Sequence, residues 1–459
     1  MKPGDLRRYT VILEGGSGCI FQPLTTNYTY IITAKHLLED KVNAKRGVKK
    51  IRVRKKDGTS IEINRQEYVD NIWTEPVVPF KLKHGVNYFE HDHADIAILK
   101  ITPALKGFDQ IVVEEDYLLK TGFLLCGYPV ELRGGLKYTT KDILNFIGPI
   151  NYGESAQLST NLNHTFINGM SGGGVIKEAV DSISIIGIQS QMASTGLAAG
   201  QIGFVPMKFA NEIIANPAYA GKLEPLLPPF FSSFKFLKDE IFKMKLGRGS
   251  KNKGDKLARM MTLKAKEIQE SLLTPKAIRE YLQANLPTVY KQDAEELNLK
   301  RVWMLWLEIL AVLNIVKEKR NCLGDLENIF KQVRIFYSDV DEDYWMTQLH
   351  KLPWKDYHGL ADGGLVVCAS NIAATESHKL EFTTPDLAWV KEVEGEFEEK
   401  NYGVRTDEGT KFPMRRFNFV NISFFKEGSL PQLDESFEKA TPDNCFSMLK
   451  TLYDSLFTD

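Results

Sequence analysis

Cysteine is scarce in this chain, and no two cysteines stand close together. The 459 residues include five cysteines, an odd number, and none forms a CxxC motif. Secreted domains that depend on disulfides carry an even and dense set, so this pattern argues against a disulfide framework. We therefore expect reduced thiols and a cytoplasmic location. The five are Cys19, Cys126, Cys322, Cys368 and Cys445.

A long apolar run is missing as well. The most apolar stretch, Val302–Val316, is interrupted by Glu308 and Asn314, and a membrane-spanning helix needs about 20 predominantly apolar residues. The stretch is typical of a helix buried in a protein core, and we expect no membrane partner. The first residues, Met1–Tyr9, are charged and lack the apolar run of a signal peptide.

Neither sign of charge is in excess. Lysine and arginine total 58 and aspartate and glutamate 59, for a formal net charge of −1. This balance excludes a chain whose whole surface is built to bind nucleic acid. Two local stretches, residues 45–56 and 243–259, are rich in lysine and arginine. Each could contact a phosphate backbone or could be a solvated face or linker, and we expect at most weak or indirect contact with DNA.

The pattern of predicted elements changes near residue 222. Before it, many short apolar runs separated by turn signals predict an all-β barrel or sandwich, and Asp57-Gly58 between two alternating runs predicts a hairpin. After a proline-rich break at 223–231 the spacing is mostly helical, and strands are predicted again from residue 334. We predict a multidomain chain, with a β domain at 1–222, a helical connection at 223–290 and an α+β domain at 291–459.

Three short segments of the β half carry residues that could act together in catalysis. His36 follows the apolar run of YIITAKHLL, Asp95 precedes that of HADIAILKI, and Ser171 lies among glycines in GMSGGGVI. A serine hydroxyl needs a base to take its proton, histidine can be that base, and a carboxylate can orient the imidazole. The backbone N–H groups of Gly169 and Ser171 could form an oxyanion hole. The segments predict a serine endopeptidase with a His-Asp-Ser triad.

In their order along the chain, these segments resemble serine proteases of the chymotrypsin-like double β-barrel fold. Residues 12–214 are similar to the bacterial trypsin-like branch that includes the HtrA group. The blocks that carry the resemblance are GSGCIF, TAKHLL, DIAILKI, LLCGYP, NGMSGGGVI and GQIGFVP. The resemblance implies an N-terminal all-β double barrel, with an α-rich α+β region following it. It implies His36 as general base, Asp95 as its orienting group, Ser171 as nucleophile and Gly169 with Ser171 as oxyanion donors. It implies no cofactor and no metal.

The resemblance also indicates where the substrate side chain would bind. In this fold the pocket is lined by residues shortly before the serine and by the strand that follows it. In this chain those positions hold Thr165, Ser190, Gln191 and Met192, none of which is acidic. Cleavage after lysine or arginine is therefore not favoured, and we expect a small or medium-sized side chain before the cleaved bond.

Control of the activity is expected from the C-terminal region. Met170 stands where the family usually has Asn or Asp, and the chain has no IVGG-like N-terminus, so we do not expect activation by N-terminal cleavage. The layout resembles the effector component of an ABC-three-component (Lamassu-type) anti-phage system. That resemblance implies a regulated effector for antiviral defence, docked onto an SMC-like ATPase partner.

Two other functions stay open. One is a catalytically weak protease fold that acts as a binding or scaffold module, and the other is a stand-alone quality-control protease like the HtrA group.

Two further groups of side chains suggest sites of their own. His84, His91 and His93 could bind a metal ion or form a polar loop. His358 and Cys368 could form a nucleophile pair, although a cysteine that follows the run LVV is typical of a buried, inert thiol.

Overall fold

The chain separates into two compact units, Met1–Ser232 and Ser233–Asp459. The predicted boundaries after residues 222 and 290 stay predictions. The computed structural model describes residues 6–43, 50–65, 67–69, 72–74, 76–106, 111–114, 117–118, 121–130, 138–160, 167–178, 183–192, 200–237, 241, 253–285, 295–338, 359–370, 417–421 and 439–454.

The first unit opens with an antiparallel sheet of seven strands. Its strands, with those of two short ribbons, are β1 (Thr10–Leu13), β2 (Gly16–Phe21), β3 (Thr29–Thr33), β4 (Glu39–Asn43), β5 (Lys50–Arg54), β6 (Ser60–Arg65), β7 (Glu67–Val69), β8 (Ile72–Thr74), β9 (Val77–Lys81), β10 (Tyr88–Glu90) and β11 (Ala97–Ile101). The order across the sheet is β10-β11-β3-β2-β1-β6-β9. Among the described residues, β4 pairs only with β5, and β7 pairs only with β8.

A second sheet of seven strands follows. It contains β12 (Val112–Val113), β13 (Phe123–Gly127), β14 (Thr139–Ile150), β15 (Gly153–Leu158), β16 (Gly174–Glu178), β17 (Ile183–Met192) and β18 (Gln201–Pro206). The order is β12-β17-β16-β13-β14-β15-β18, and β18 also pairs with β17. That extra pairing closes the strands from β13 to β18 into a barrel, whereas the first sheet stays open as a half-barrel.

Strands in the middle of the first sheet are buried on both faces. Along β3, Ile31 belongs to the core inside the first sheet. Its neighbours Tyr30 and Ile32 belong to a second core, which they share with Ile176 and Ile188 of the second sheet. Successive side chains of a strand point to opposite faces, so burial of both faces requires the continuous apolar run found here.

The predicted hairpin at Asp57-Gly58 is wrong, although the chain does turn there, with Gly58 at φ +87°. Strand β5, before the turn, pairs with β4, and β6, after it, pairs with β1 and β9. The reason is burial. Ile61 and Ile63 of β6 lie in the core of the sheet, whereas Ile51 and Val53 of β5 are exposed on the ribbon.

One helix completes the core of the first unit. Helix α1 (Lys208–Ala215) follows β18 directly and buries Ala210 and Ile213 among the residues shared by the two sheets. The chain after β18 is therefore packed as part of the first unit.

The second unit is built of helices and a small parallel sheet. Among the described residues its helices are α2 (Lys253–Gln269), α3 (Pro275–Asn285), α4 (Lys300–Val316), α5 (Leu326–Gln332) and α6 (Pro442–Asp454). The strands are β19 (Val333–Ser338), β20 (Gly364–Ser370) and β21 (Phe417–Asn421), with β20 in the middle. Helix α4 buries nearly all its side chains, Trp303 and Trp306 included, which confirms the predicted core helix. Within the part of the chain that the structure describes, no helix has the length and apolarity needed to cross a membrane.

These observations confirm the expected fold class. The N-terminal half is all-β, a half-barrel followed by a closed barrel as in the chymotrypsin-like fold, and an α-rich α+β region follows it.

Two of the cysteines face the core between the sheets. Cys19 and Cys126 are fully buried and free of disulfides. Burial, with a smaller contribution from Cys126, raises the pKa of the Cys19 thiol well above its ordinary value. Burial also raises the pKa of Cys126 to about 12. Cys322, by contrast, is exposed.

We therefore predict a clear order of thiol reactivity. At about pH 8, iodoacetamide should alkylate Cys322 of the native protein well before Cys19 or Cys126, because the buried thiols carry little thiolate and are shielded from the reagent. A time course read by peptide mass spectrometry measures this. The Cys322→Ser variant assigns the fast phase, and alkylation of Cys19 at the rate of Cys322 would contradict the buried position.

Candidate active site

Strands β3 and β11 bring His36 and Asp95 together. Strand β3 ends at Thr33, and His36 lies in a short 3-10 helix, Lys35–Leu38, that begins two residues later. In the antiparallel pair Thr33 lies opposite Ala97. Continuing that register past the strand ends places Asp95 beside the start of the 3-10 helix. A histidine just after one strand and an aspartate just before its neighbour therefore meet.

The carboxylate of Asp95 holds His36 by two hydrogen bonds. The backbone N–H of His36 donates to Oδ1 at 2.9 Å. The imidazole Nδ1 lies 2.7 Å from Oδ2. A carboxylate is an acceptor, so this network assigns the proton to Nδ1 and leaves Nε2 as an acceptor. The side chains of His36 and Asp95 are 17% and 30% exposed, so the pair is shielded but open on one side.

The hydroxyl of Ser171 completes the chain of hydrogen bonds. Its Oγ lies 3.0 Å from Nε2 of His36 and 3.1 Å from the carbonyl oxygen of Ser190. The hydroxyl has a single proton and donates to one acceptor at a time. When it donates to Nε2, the imidazole is placed to remove that proton as the oxygen attacks.

The turn that carries Ser171, residues 169–173 (the Ser171 turn), is fixed to the barrel by two backbone hydrogen bonds. The N–H of Gly172 donates to the carbonyl of Gln189 at 2.7 Å, and Gln189 N–H donates to the carbonyl of Gly173 at 2.9 Å. Gly172 has φ +85°, and a Cβ there would lie 1.9 Å from the carbonyl oxygen of Ser17. The glycines after the serine therefore permit a backbone contact that any side chain would block.

Ser17 is a site residue that the sequence did not single out. This buried residue of β2 donates its hydroxyl to the carbonyl of Gly169 at 2.9 Å and accepts from the N–H of Tyr128 at 3.0 Å. Its backbone N–H donates to the carbonyl of Ser171 at 2.7 Å, and its own carbonyl accepts from Thr33 Oγ1 at 2.7 Å. In the sequence, the only sign of this role is a small polar residue between two glycines in GSGCIF. The burial of the whole strand is seen only in the structure.

The turn before the serine is the site of the predicted oxyanion hole. The N–H groups of Met170, Gly172 and Gly173 donate to carbonyls within the fold, so they are engaged in internal hydrogen bonds. Gly169, at φ +94°, reverses the backbone just before them. The assignment of the oxyanion donors to Gly169 and Ser171 stays a prediction.

The predicted substrate pocket is described only in part. Ser190 lies on β17 with its carbonyl against Ser171 Oγ. The backbones of Gln191 and Met192 continue this strand opposite Gly203 and Ile202 of β18. Thr165, and the side chains of Gln191 and Met192, lie outside the described residues. The preference for the substrate side chain therefore stays a prediction.

The three histidines near Asp95 do not converge on a metal site. His84 Nε2 lies 3.1 Å from the Tyr219 hydroxyl, whereas His91 Nε2 lies 2.9 Å from Glu212. The ring of His93 stacks on Tyr152. Among the described residues, no group of three side chains is placed to hold a metal ion. The polar-loop alternative describes this segment better.

The remaining candidates fall largely outside the described residues. His358 and the side chain of Cys368 lie there, as do residues 45–49 and 243–252 of the two basic stretches. In the first basic stretch Lys55 pairs with Glu14 and Arg54 with Glu90. Part of its charge is therefore neutralised within the fold.

The Ser17 contacts lead to a prediction about stability and reactivity. In Ser17→Ala the buried carbonyl of Gly169 and N–H of Tyr128 lose a partner, so the free energy of unfolding should fall by about 1–3 kcal/mol. The Ser171 turn should also loosen and react more slowly with a fluorophosphonate. Denaturant unfolding and labelling rates measure the two effects.

A matched control is Thr29→Val, which removes another fully buried hydroxyl, hydrogen-bonded to Gln22 and to the N–H of Leu105. It should lose stability but keep the labelling rate of the unmodified protein. Equal labelling by Ser17→Ala and Thr29→Val would contradict the positioning of the turn by Ser17.

Comparison with known proteins adds the following findings. Residues 204–430 match the family model of C-terminal domain 4 of the ABC-three component (ABC-3C) systems. Among solved structures, the chain is similar to a catalytically inactive tobacco etch virus protease complexed with substrate. The identity is 14% and the TM-score 0.27, over 47% of this chain and 88% of that one. A search of curated proteins finds no match. The chain is thus similar to an ABC-three component C-terminal domain over a range that begins in β18.

Proposed function

We propose that this chain is a serine endopeptidase that uses Ser171 as nucleophile, His36 as general base and Asp95 as the group that orients and stabilises the imidazole. The observation that supports this is the unbroken line of hydrogen bonds from Asp95 through His36 to Ser171, at 2.7 and 3.0 Å. Those distances are within the reach that proton transfer needs.

The first half of the reaction acylates the serine. As Ser171 Oγ attacks the carbonyl carbon of a peptide bond, its proton passes to His36 Nε2, and Asp95 stabilises the resulting imidazolium. The N–H groups of Gly169 and Ser171 bind the oxygen that becomes negative. The carbon–nitrogen bond then breaks, the proton on Nε2 passes to the leaving amine, and the acyl group stays on Oγ.

The second half releases the product and restores the enzyme. Water loses a proton to His36 Nε2 as its oxygen attacks the acyl carbon. The bond to Oγ breaks, and the same proton returns to Ser171. The reaction is a hydrolysis with no net redox change, so the triad and the oxyanion donors are sufficient for it.

An active-site probe tests the proposal directly. A fluorophosphonate should label the protein on Ser171, with no labelling of Ser171→Ala. Asp95→Asn should react about 10⁴-fold more slowly, because Asn places the wrong tautomer on His36. Gel fluorescence and peptide mass spectrometry measure the extent and the site.

Ser60→Ala is the control for the probe, because it removes an exposed serine hydroxyl of β6 outside the candidate site, and it should label normally. Absence of labelling in the unmodified chain, with partners present, would contradict the proposal and favour a binding or scaffold role.

We further propose that the protease works as a regulated effector of an ABC-three-component system in antiviral defence, in the cytoplasm. The match of residues 204–430 to a C-terminal domain of those systems supports this context. The chymotrypsin-like fold of residues before that range supports the effector role. The partner would be the SMC-like ATPase of the system, bound through the C-terminal region.

This second proposal predicts that the partner controls the rate. The chain should copurify with that ATPase, and the fluorophosphonate labelling rate should change by at least about 10-fold when the activated partner is added. A version of the partner that does not bind nucleotide is the control. Rapid digestion of unfolded casein by the chain alone, unaffected by the partner, would instead favour a stand-alone quality-control protease.

A further inference from the structure

His91 stands at the centre of the loop that carries Asp95. Its Nδ1 accepts hydrogen bonds from the backbone N–H groups of Ala94 at 2.8 Å and His93 at 3.1 Å. The loop closes on itself, because the N–H of His91 donates to the carbonyl of Ile96 at 3.1 Å. Asp95 lies inside this closed loop, so the imidazole of His91 binds two backbone amides of the segment that carries the carboxylate.

The other side of the same ring faces helix α1. Nε2 of His91 lies 2.9 Å from Oε2 of Glu212, and the ring meets Phe209 edge to face at 5.2 Å between centroids. Since Nδ1 accepts two N–H groups, the proton must be on Nε2, which then donates to the Glu212 carboxylate. The His91 side chain is 12% exposed, whereas that of Glu212 is 57% exposed.

The loop is also tied to the segment that carries His36. Nζ of Lys35, the residue before His36, donates to the carbonyl of His91 at 2.7 Å and to that of Asp92 at 3.3 Å. The loop that His91 caps therefore contacts the 3-10 helix of His36 in two ways. Two of its carbonyls accept from Lys35, and Asp95 binds His36 itself.

We propose that His91 is a positioning residue for Asp95 and that it acts by capping the loop through Nδ1, with the contact of its Nε2–H to Glu212 as a secondary tie to α1. This inference rests on the proposed function, in which Asp95 orients His36. It assigns to the H-x-H segment a role in which the two histidines are not equivalent. His93 contributes only its backbone N–H to the cap, and its exposed ring stacks on Tyr152.

Two substitutions separate the two functions of the ring. Asn places its Oδ1 near the position of Nδ1, so His91→Asn keeps the acceptor for the loop amides and loses the contact with Glu212. Gln reaches the position of Nε2 but offers no acceptor to the amides, so His91→Gln keeps the Glu212 contact and loses the cap. His93→Ala is the matched control, since it keeps the backbone N–H.

The test measures fluorophosphonate labelling of the full chain and thermal unfolding of each variant. We expect His91→Gln to label about 10²-fold more slowly, as a misplacement of about 1 Å of a catalytic group can produce. His91→Asn should recover most of the rate, and His93→Ala should keep it. Equal rates for His91→Gln and His93→Ala would overturn the proposal. Equally slow labelling by His91→Asn and His91→Gln would also overturn it, because the cap alone would not then account for the effect.

A second measurement does not depend on turnover. In a Ser171→Ala background, the proton between His36 Nδ1 and Asp95 should give a downfield proton resonance. It should persist with His91→Asn and be lost or broadened with His91→Gln, while an unchanged resonance in His91→Gln would overturn the inference. If the resonance behaves as expected but the unmodified chain never reacts with the probe, the positioning role stands and the proposed protease function fails.

Discussion

The hydrogen bond from the backbone N–H of Ser17 to the carbonyl of Ser171, 2.7 Å long, is the contact on which the candidate site depends. His36 and Asp95 belong to the open sheet, whereas Ser171 belongs to the closed barrel. Ser171 Oγ and His36 Nε2 stay 3.0 Å apart only if the two sheets meet at backbone distance. Gly172 makes that approach possible, because any Cβ there would collide with Ser17. Thr33, at the end of the strand before His36, donates its hydroxyl to the Ser17 carbonyl and extends the same contact to the segment of His36.

Much of this site could be predicted because each of its three residues lies next to a strand. A strand end is visible in the sequence as the point where an apolar run stops, and the antiparallel pairing of β3 with β11 converts two such ends into one contact. Pairing partners are less visible. The runs on either side of Asp57-Gly58 alternate equally well, yet one belongs to a core sheet and the other to an exposed ribbon. Local periodicity predicts a strand but does not say which strand it joins.

Ser17 and His91 show where reasoning from sequence stops. Ser17 and Gly169 are 152 positions apart, and no spacing rule connects them. His91 and His93 have the spacing of a metal-binding pair, but they differ in what surrounds them. The ring of His91 is mostly buried and accepts hydrogen bonds from backbone N–H groups of its own loop. The ring of His93 stacks on the exposed Tyr152. Such roles depend on contacts between side chain and backbone, which a pattern of residue types does not contain.

The family match and the compact units divide the chain at different residues. Similarity to an ABC-three component C-terminal domain begins at residue 204, whereas the first compact unit extends to Ser232. The shared segment contains the end of β18, which pairs with β15 and β17, and helix α1, which buries Ala210 and Ile213 in the core between the sheets. Strand β17 in turn carries the Ser190 carbonyl that contacts Ser171. A division at residue 204 would therefore cut through the strand that closes the barrel. The matched C-terminal range therefore includes backbone that forms the closed barrel and side chains that fill the core between the two sheets.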